Sequence, residues 1–239
     1  MTMTMSMNMT KSDFLRAFQL SPLMPSTQGY RYPDHKRAGE SQIKKDAAVL
    51  IALVEEQKLN GDTQLSILLT RRAAHLRHHG GQISFPGGKV EVFDDNIIAT
   101  ALRETEEEIG INKNDIEVIG HLQQYQTISG FTISPIVAFI KKEHRDAYEN
   151  NDSQTDSDSH ANGNFSLYKQ ALNTGIDKDE VEEVFLVPLS HFLNVNNRHS
   201  VTVSFHNQPH EVHFMPYETV NVWGATAAML KDLAAHLVR

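Results

Sequence analysis

The stretch that most constrains the fold runs from Gly87 to Ile111 and reads GGKVEVFDDNIIATALRETEEEIGI. Asp94 or Asp95 suits a helix N-cap, because a short carboxylate accepts the free amide hydrogens of the first turn. Gly110 suits the position just past the helix end, where a left-handed backbone favours glycine. Between these caps, side chains recur at intervals of three and four, which predicts a helix face turned toward a core. These side chains are Ile98, Ala101, Leu102, Thr105 and Ile109.

The opposite face of this helix is predicted to carry clustered charge from Arg103, Glu104, Glu107 and Glu108. The three glutamates stand at i, i+3 and i+4, a spacing that brings their side chains together on one helical surface. Like charges so placed repel each other, and a bound cation would relieve that repulsion. A glycine turn and clustered carboxylates together can form an oxygen cage for a hard cation such as magnesium. A solvated acidic face is the alternative interpretation.

The same stretch resembles the Nudix box, GX5EX7REUXEEXGU, in which U is an aliphatic residue. Its second half, from Arg103 to Ile111, fits the pattern except that Thr105 replaces an aliphatic residue. Taking Asp95 as the acid of the first half, six residues rather than five separate it from Gly88, and aspartate replaces glutamate. In the family this acid pairs with the box arginine, so the departure concerns that pairing and leaves the metal-binding half intact.

The resemblance implies an α+β protein with the Nudix fold, an α/β/α sandwich around a mixed central sheet. It also implies Mg²⁺ or Mn²⁺ held by Glu104 and Glu108, with Glu107 and the Gly88 carbonyl as further ligands. Such ions polarise a diphosphate and lower the pKa of a bound water that attacks phosphorus. The resemblance assigns catalytic roles to Arg103, Glu107 and Glu108, with Arg103 orienting the glutamates. The general base is Glu107 or a later glutamate, among Glu180, Glu182 and Glu183; a solvated acidic run is the alternative for those three.

A basic cluster precedes the glycine turn and consists of Arg71, Arg72, His75, Arg77, His78 and His79. Arginine forks match phosphate oxygens, so basic residues beside a carboxylate site suggest that a polyanion is held from both sides. A solvated basic loop is the alternative. The segment LLTRRAAHLRHHGGQISFPGG also resembles the signature of the coenzyme A pyrophosphatase branch, LLTXR(S/A)X3RX3GX3FPGG, and matches every specified position.

This branch resemblance implies a small-molecule substrate, coenzyme A or a derivative, cleaved to 3',5'-ADP and 4'-phosphopantetheine. Arg72 and Arg77 are then candidates for phosphate contact. Two other functions stay open: hydrolysis of another nucleoside diphosphate derivative, such as ADP-ribose or a dinucleotide, and a non-catalytic nucleotide sensor. The three box glutamates argue against the sensor.

Apolar runs around these motifs predict strands from Asp46, from Gln64 to Thr70, from Ile116 to Gln123 and from Phe131 to Ile140. The first two are joined by the turn-prone Asn60-Gly61-Asp62, and the last two by a turn at residues 127–130. In the resemblance this second turn borders the substrate cleft, where Ser129 and Gly130 are candidates for hydrogen bonds. An ordinary hairpin turn is the alternative.

Residues 1–40 are predicted to be a flexible N-terminal extension with a short helix at Ser12 to Gln19. Residues 41–239 are predicted to form a single Nudix domain, with a disordered insertion at about 143–178 that is too polar to bury a core of its own. Near the C-terminus, Val201 to Phe205 and Glu211 to Phe214 alternate like paired strands. A closing amphipathic helix is predicted from Ala227 to Leu237.

Composition excludes several classes of protein. A formal net charge of -8 argues against general nucleic-acid binding, which needs a basic surface. The chain has no cysteine, which excludes disulfides and thiolate zinc sites and fits a reducing compartment. No apolar run is long enough to cross a bilayer, so a cytoplasmic protein without a membrane partner is predicted. Homodimers are common in the superfamily, but no stretch is assigned to an interface.

Overall fold

The structure, a computed structural model, describes residues 9–21, 45–57, 62–127, 129–141, 172, 175–205 and 208–238. Within these residues the helices are α1 (Lys11–Leu20), α2 (Ile97–Ile109), α3 (Leu189–Leu193) and α4 (Gly224–Leu237). The strands are β1 (Lys45–Gln57), β2 (Thr63–Arg72), β3 (Ile83–Ser84), β4 (Gly87–Lys89), β5 (Ile116–His121), β6 (Tyr125–Gln126), β7 (Phe131–Ile140), β8 (Val181–Pro188), β9 (His199–Phe205), β10 (Gln208–Tyr217) and β11 (Val220–Trp223).

The central sheet of the described residues has eight strands and is mixed. Its main path runs β3-β2-β1-β7-β5, while β4 pairs with β1, β6 with β7 and β8 with β2. β1 and β7 are parallel, with Lys45 opposite Phe131, and the other pairings are antiparallel. The predicted mixed sheet is confirmed.

Both faces of this sheet are covered, because side chains of a strand alternate between its two faces. Along β1, Ile51 and Leu53 enter a first core, which also receives buried side chains of α1, α3 and α4. Leu50 and Ala52 enter a second core, which receives α2 through Ala101. Burial on both faces explains why β1 is a near-continuous apolar run. The predicted sandwich of helices around the sheet is confirmed.

A second sheet of the described residues contains β9, β10 and β11, with β10 in the centre. The predicted pairing of the two C-terminal strands is confirmed, since Val201 lies opposite Val212. Met215 and Val222 lie opposite each other on one face and are buried in the first core. The other face of this sheet is turned away from that core.

The two terminal helices confirm the helices predicted there. α1 has Thr10 at its N-cap in a capping box with Asp13, and it buries Phe14 and Phe18. α4 extends the predicted closing helix by three residues at its N-terminus, to Gly224. Among the helices described, none has the length and apolar composition needed to cross a membrane.

Parts of the predicted domain plan lie outside the described residues: 1–8, 22–44 and 142–171, together with Asn60 and Gly61 of the first turn. Within the predicted N-terminal extension, Phe14 is fully buried in the first core. Within the predicted insertion, Leu172 and Ile176 are buried in the second core. The domain boundaries stay a prediction.

Candidate active site

The glycine turn, Pro86-Gly87-Gly88, lies alongside β1. β1 pairs with β2 from Leu53 to Gln57 but with β4 from Ala47 to Val49. Between the two pairings, the Leu50 amide donates to the Pro86 carbonyl at 2.9 Å. Gly87 has a φ of 149°, and an added Cβ would overlap the Ala48 carbonyl and the Val49 backbone. Glycine is therefore required where this segment passes β1.

α2 begins and ends close to the predicted positions, with one correction. Its N-cap is Asn96, whose Oδ1 accepts from the amides of Ile98 at 2.9 Å and Ala99 at 3.0 Å. The prediction of Asp94 or Asp95 as N-cap is wrong. The predicted C-terminal glycine is confirmed, because Gly110 has a φ of 71° and its amide donates to the Glu106 carbonyl.

The predicted inward face of α2 is confirmed for most of its members. Ala101, Thr105 and Ile109 are buried, and Leu102 packs at the border of the second core. Ile98 is 38% exposed, so its predicted burial is wrong. Ile97, one residue earlier, packs against the core in its place.

Arg103 joins α2 to the loop that precedes it. Its Nε and Nη2 donate to the two carboxylate oxygens of Asp94 at 2.9 and 3.0 Å, and Nη2 also donates to the Lys89 carbonyl at 3.1 Å. Asp94 is further held by the Thr100 hydroxyl at 2.8 Å. The Arg103 guanidinium holds the pKa of Asp94 well below its usual value.

This arrangement corrects the predicted acid of the first half of the box. Asp94, not the exposed Asp95, pairs with Arg103, and five residues separate Asp94 from Gly88. The predicted extra residue before the acid is therefore wrong: it lies after the acid, with eight rather than seven residues between Asp94 and Arg103, and the departure in residue type remains. Sequence reasoning missed Asp94 in this role, although counting five residues from Gly88 identifies it. It also missed Thr100, for which the sequence gives no comparable signal.

Glu108 is buried rather than displayed on an acidic surface. It is 2% exposed, which argues against the alternative of a solvated acidic face at this residue. Its Oε2 accepts from the Gly87 amide at 3.3 Å, and its Oε1 lies 3.6 Å from Nη1 of Arg72. Burial raises the pKa of Glu108 to about 8, although Arg72 and the Gly87 amide favour the charged form. The like charges of Glu104 and Glu180 raise this pKa further.

Glu104 lies against the other glycine of the pair. A Cβ added to Gly88 would overlap the carboxylate carbon and both carboxylate oxygens of Glu104. Burial raises the pKa of Glu104, and the charges of Glu107 and Glu180 add to that effect. Arg103 opposes it, with Nη1 at 3.0 Å from Glu104 Oε1.

Glu107 and Glu180 are two exposed carboxylates whose charges act on Glu104. The Glu107 side chain is 59% exposed and accepts from Arg103 Nη1 at 2.7 Å. Glu180 is exposed, and its carbonyl accepts from the Ala73 amide at 2.8 Å, which fixes the start of β8 beside the end of β2. Of the three later glutamates, Glu180 raises the pKa of both Glu104 and Glu108.

The carboxylates are suited to a hard divalent cation. No group of three or more acidic or histidine side chains that could hold a metal ion is found among the described residues. Nevertheless, burial disfavours the charged form of the Glu108 carboxyl and raises its pKa, and a nearby cation would favour that charged form. Glu104 lies against Gly88, and carboxylate oxygens are donors that Mg²⁺ and Mn²⁺ prefer.

The two neighbouring arginines at the end of β2 differ in environment. The Arg71 guanidinium lies over the Phe185 ring of the first core, at 5.0 Å, whereas Arg72 reaches Glu108 on the α2 side. Alternation along the strand explains the difference. The predicted phosphate contact of Arg72 stays a prediction.

The other predicted substrate residues are not in contact with the carboxylates. Arg77 is exposed in the loop before β3, and no hydrogen bond or ion pair joins it to the box glutamates among the described residues. Ser129 and Gly130 form the turn before β7, where the Ser129 and Thr127 hydroxyls lie 2.9 Å apart. The sheet places this turn at the same end as β4, since Lys45 pairs with Phe131 and Ala47 with Lys89.

Comparison with known proteins gives one family match, several similar sequences and several similar structures. A model of the NUDIX domain family matches residues 44–204. The chain is 32% identical over 230 residues to a Citrobacter koseri protein named "Uncharacterized Nudix hydrolase NudL", covering 96% of each chain. It is 33% identical over 223 residues to a protein of the same name from Photorhabdus laumondii, covering 93% of this chain and 95% of that protein. A crystal structure of a MutT/nudix family protein from Enterococcus faecalis aligns with a TM-score of 0.48 at 15% identity, covering 94% of this chain and 68% of that one.

Proposed function

The chain belongs to the NUDIX family, and from that premise we propose that it hydrolyses the diphosphate of coenzyme A or of a coenzyme A derivative. Coenzyme A itself would give 3',5'-ADP and 4'-phosphopantetheine. The family supports the coarser part of this statement: the chain is a Nudix hydrolase, a class that acts on small nucleotide substrates and generally uses a divalent metal such as Mg²⁺ or Mn²⁺.

The observation that carries the choice of substrate is the segment from Leu68 to Gly88. Every specified position of the coenzyme A pyrophosphatase signature is present in it. The same segment supplies two groups that touch the box helix, the Arg72 guanidinium and the Gly87 amide, both on Glu108. These contacts between the signature segment and a box carboxylate support a substrate-reading role for the segment.

Four residues are proposed to bind the substrate: Arg72, Arg77, Ser129 and Gly130. The Arg72 side chain is 26% exposed, so its guanidinium can contact Glu108 and still offer donors to a phosphate. Arg77 is exposed in its loop and would approach only when an anionic ligand draws it in. Ser129 and Gly130 would donate to the part of the substrate that extends beyond β4.

Glu104, Glu107 and Glu108, with the Gly88 carbonyl, are proposed to hold the divalent metal. When bound, such an ion polarises a phosphate and makes a water more acidic and more nucleophilic. Arg103 is proposed to hold Glu104 and Glu107 in place, because it contacts both while anchored to Asp94. The proton of the attacking water would pass to Glu107 or to Glu180, both of which are exposed.

A substrate comparison tests the proposal. Purified protein with magnesium would be incubated separately with coenzyme A, ADP-ribose, NADH and a dinucleoside polyphosphate, and the products resolved by chromatography. We expect 3',5'-ADP from coenzyme A at a higher kcat/KM than cleavage of the other three. Faster cleavage of another diphosphate would contradict the substrate and leave the Nudix chemistry, whereas binding without any cleavage would indicate the sensor.

Two further properties stay predictions. A cytoplasmic location is proposed, which the cysteine-free composition fits, and is checked by fractionating cells that produce the protein. The absence of nucleic-acid binding follows from the net charge of -8 and is checked by a gel-shift assay.

A further inference from the structure

β9 forms one edge of the three-stranded sheet. Among the described residues it is hydrogen-bonded to β10 alone, in a continuous register from His199 opposite Phe214 to Phe205 opposite Gln208. An edge strand presents a row of backbone donors and acceptors along its outer side. Such a row is a ready template for another strand.

The edge lacks the features that usually prevent strand addition. Its sequence, HSVTVSF, contains no Lys, Arg, Asp, Glu or Pro, and its pairing with β10 shows no bulge. Residues 201–204 are all exposed, with Val201 at 54% and Val203 at 40%. Valine and threonine favour strands, so this segment suits further pairing on its open side.

The sequence of β9 also specifies which strand fits. Residues 200–204 read Ser-Val-Thr-Val-Ser, which is a palindrome centred on Thr202. If two copies pair in antiparallel fashion about Thr202, Val201 lies opposite the partner's Val203 and Ser200 lies opposite the partner's Ser204. A two-fold interface must be self-complementary, and identical pairs across the axis satisfy that requirement.

We propose that the chain forms a homodimer in which β9 pairs antiparallel with β9 of a second copy about a two-fold axis at Thr202. The two three-stranded sheets then form one six-stranded sheet. Val201 lies opposite Val212 in the sheet, on the face turned away from the first core, so the two Val201–Val203 pairs would form an apolar strip across the axis.

Charge and size predict a weak dimer that exchanges with monomer. β9 carries no charged side chain, so no like charges meet across the axis. The whole chain has a net charge of -8, which opposes association at low ionic strength and is screened by salt. A ladder of seven residues buries little surface compared with the roughly 1,200 Å² at the lower end of stable interfaces. We therefore expect dimerisation to depend on protein concentration and to strengthen with salt.

Sedimentation equilibrium of wild type, Val203→Lys and Val195→Lys tests the proposal. Val195 is a matched control, because it is 69% exposed and lies outside β9. Wild type and Val195→Lys should approach twice the chain mass as concentration rises, while Val203→Lys stays monomeric with an unchanged circular dichroism spectrum. A monomeric wild type at all concentrations, or a Val203→Lys variant that dimerises like wild type, would overturn the proposal.

Cross-linking tests the register, and the chain is suited to it because it has no cysteine. A disulfide needs Cα atoms about 4.4–6.8 Å apart, and directly opposite residues of an antiparallel pair meet this at about 4.5–5.5 Å. Thr202→Cys should therefore form a covalent dimer under mild oxidation. Val203→Cys should do so far more slowly, because its equivalent in the partner lies diagonally, at about 7–8 Å. Equal cross-linking rates for Thr202→Cys and Val203→Cys would refute the register. So would a control, Val195→Cys, that cross-links as fast as Thr202→Cys.

Discussion

Arg103 is the side chain on which the site's geometry depends most. It contacts the carboxylates of Asp94, Glu104 and Glu107 and the Lys89 carbonyl. A planar guanidinium can bind one carboxylate with two parallel hydrogen bonds and still offer donors to others. Through this residue, the loop and two glutamates of α2 are fixed relative to each other.

Substituting Asp94 tests this anchor through stability. We expect Asp94→Asn to lose about 2 kcal/mol of unfolding free energy at neutral pH, the scale of hydrogen bonds to a charged group. The folded pKa of Asp94 lies below its unfolded value of about 3.9, so this stability is present above that pH and is lost as pH falls through the folded pKa. Urea unfolding at neutral and acidic pH measures the difference, which should shrink in acid.

Asp95→Asn is the matched control for this experiment. Asp95 is exposed, and its substitution removes the same charge one residue later in the chain. We therefore expect the unfolding free energy to change by no more than about 0.5 kcal/mol. Equal destabilisation by the two variants at neutral pH would contradict the assignment of Asp94 to Arg103.

Gly88 tests how closely Glu104 approaches the backbone. We expect Gly88→Ala to lower kcat by about 10²-fold while the fold is kept, because the added Cβ displaces the Glu104 carboxylate. Steady-state kinetics measure the loss, and the exposed neighbour Lys89→Ala is the control. A Gly88→Ala enzyme with normal kcat would show that Glu104 can leave its present position without effect.

At the scale of single elements, the two ends of α2 are determined by its capping residues. Asn96 supplies two hydrogen bonds to the first turn and Gly110 ends the helix in a left-handed conformation. We expect Asn96→Ala to cost about 1 kcal/mol, as for loss of a typical N-cap. Thermal unfolding measures the change. Asp95→Ala should have little effect, and the reverse order of the two variants would contradict the observed cap.

The sequence predicted elements better than the contacts among them. It was possible to predict the strands, α2 with its terminal glycine, and a sheet covered on both faces, because hydrophobic periodicity and turn residues act locally. The burial of Glu108 could not be predicted in this way, because it depends on contacts with Gly87 and Arg72, which are distant in sequence. The N-cap was wrong for a related reason: Asp94, a suitable cap in isolation, is bound by Arg103, and Asn96 caps the helix instead.

At the scale of the whole molecule, helices cover both faces of the sheet, and α2 carries its carboxylates at the edge of the second core. A cation held there would bind the folded chain and stabilise it. At metal concentrations about 100 times Kd this is worth about 2.7 kcal/mol, or roughly 5–10 °C in Tm for a domain of this size. Differential scanning fluorimetry with Mg²⁺ or Mn²⁺ measures the shift.

Two variants test this shift: the double variant Glu104→Gln/Glu108→Gln, and Glu106→Gln as its control. The double variant removes two of the three proposed carboxylate ligands and should abolish the shift. Glu106 is exposed on the same helix and accepts from Asn112 at 2.8 Å, so its variant should respond like wild type. An undiminished shift in the double variant would place the cation elsewhere.

The most direct test of the whole account is the release of 3',5'-ADP from coenzyme A by wild type, Glu108→Gln and Glu106→Gln. All three would be assayed with magnesium and with a chelator. We predict metal-dependent release by wild type and Glu106→Gln, and a rate at least about 10²-fold lower for a folded Glu108→Gln enzyme. Near-normal turnover by that variant, or release that persists in chelator, would contradict catalysis by a metal held at the buried carboxylate of α2.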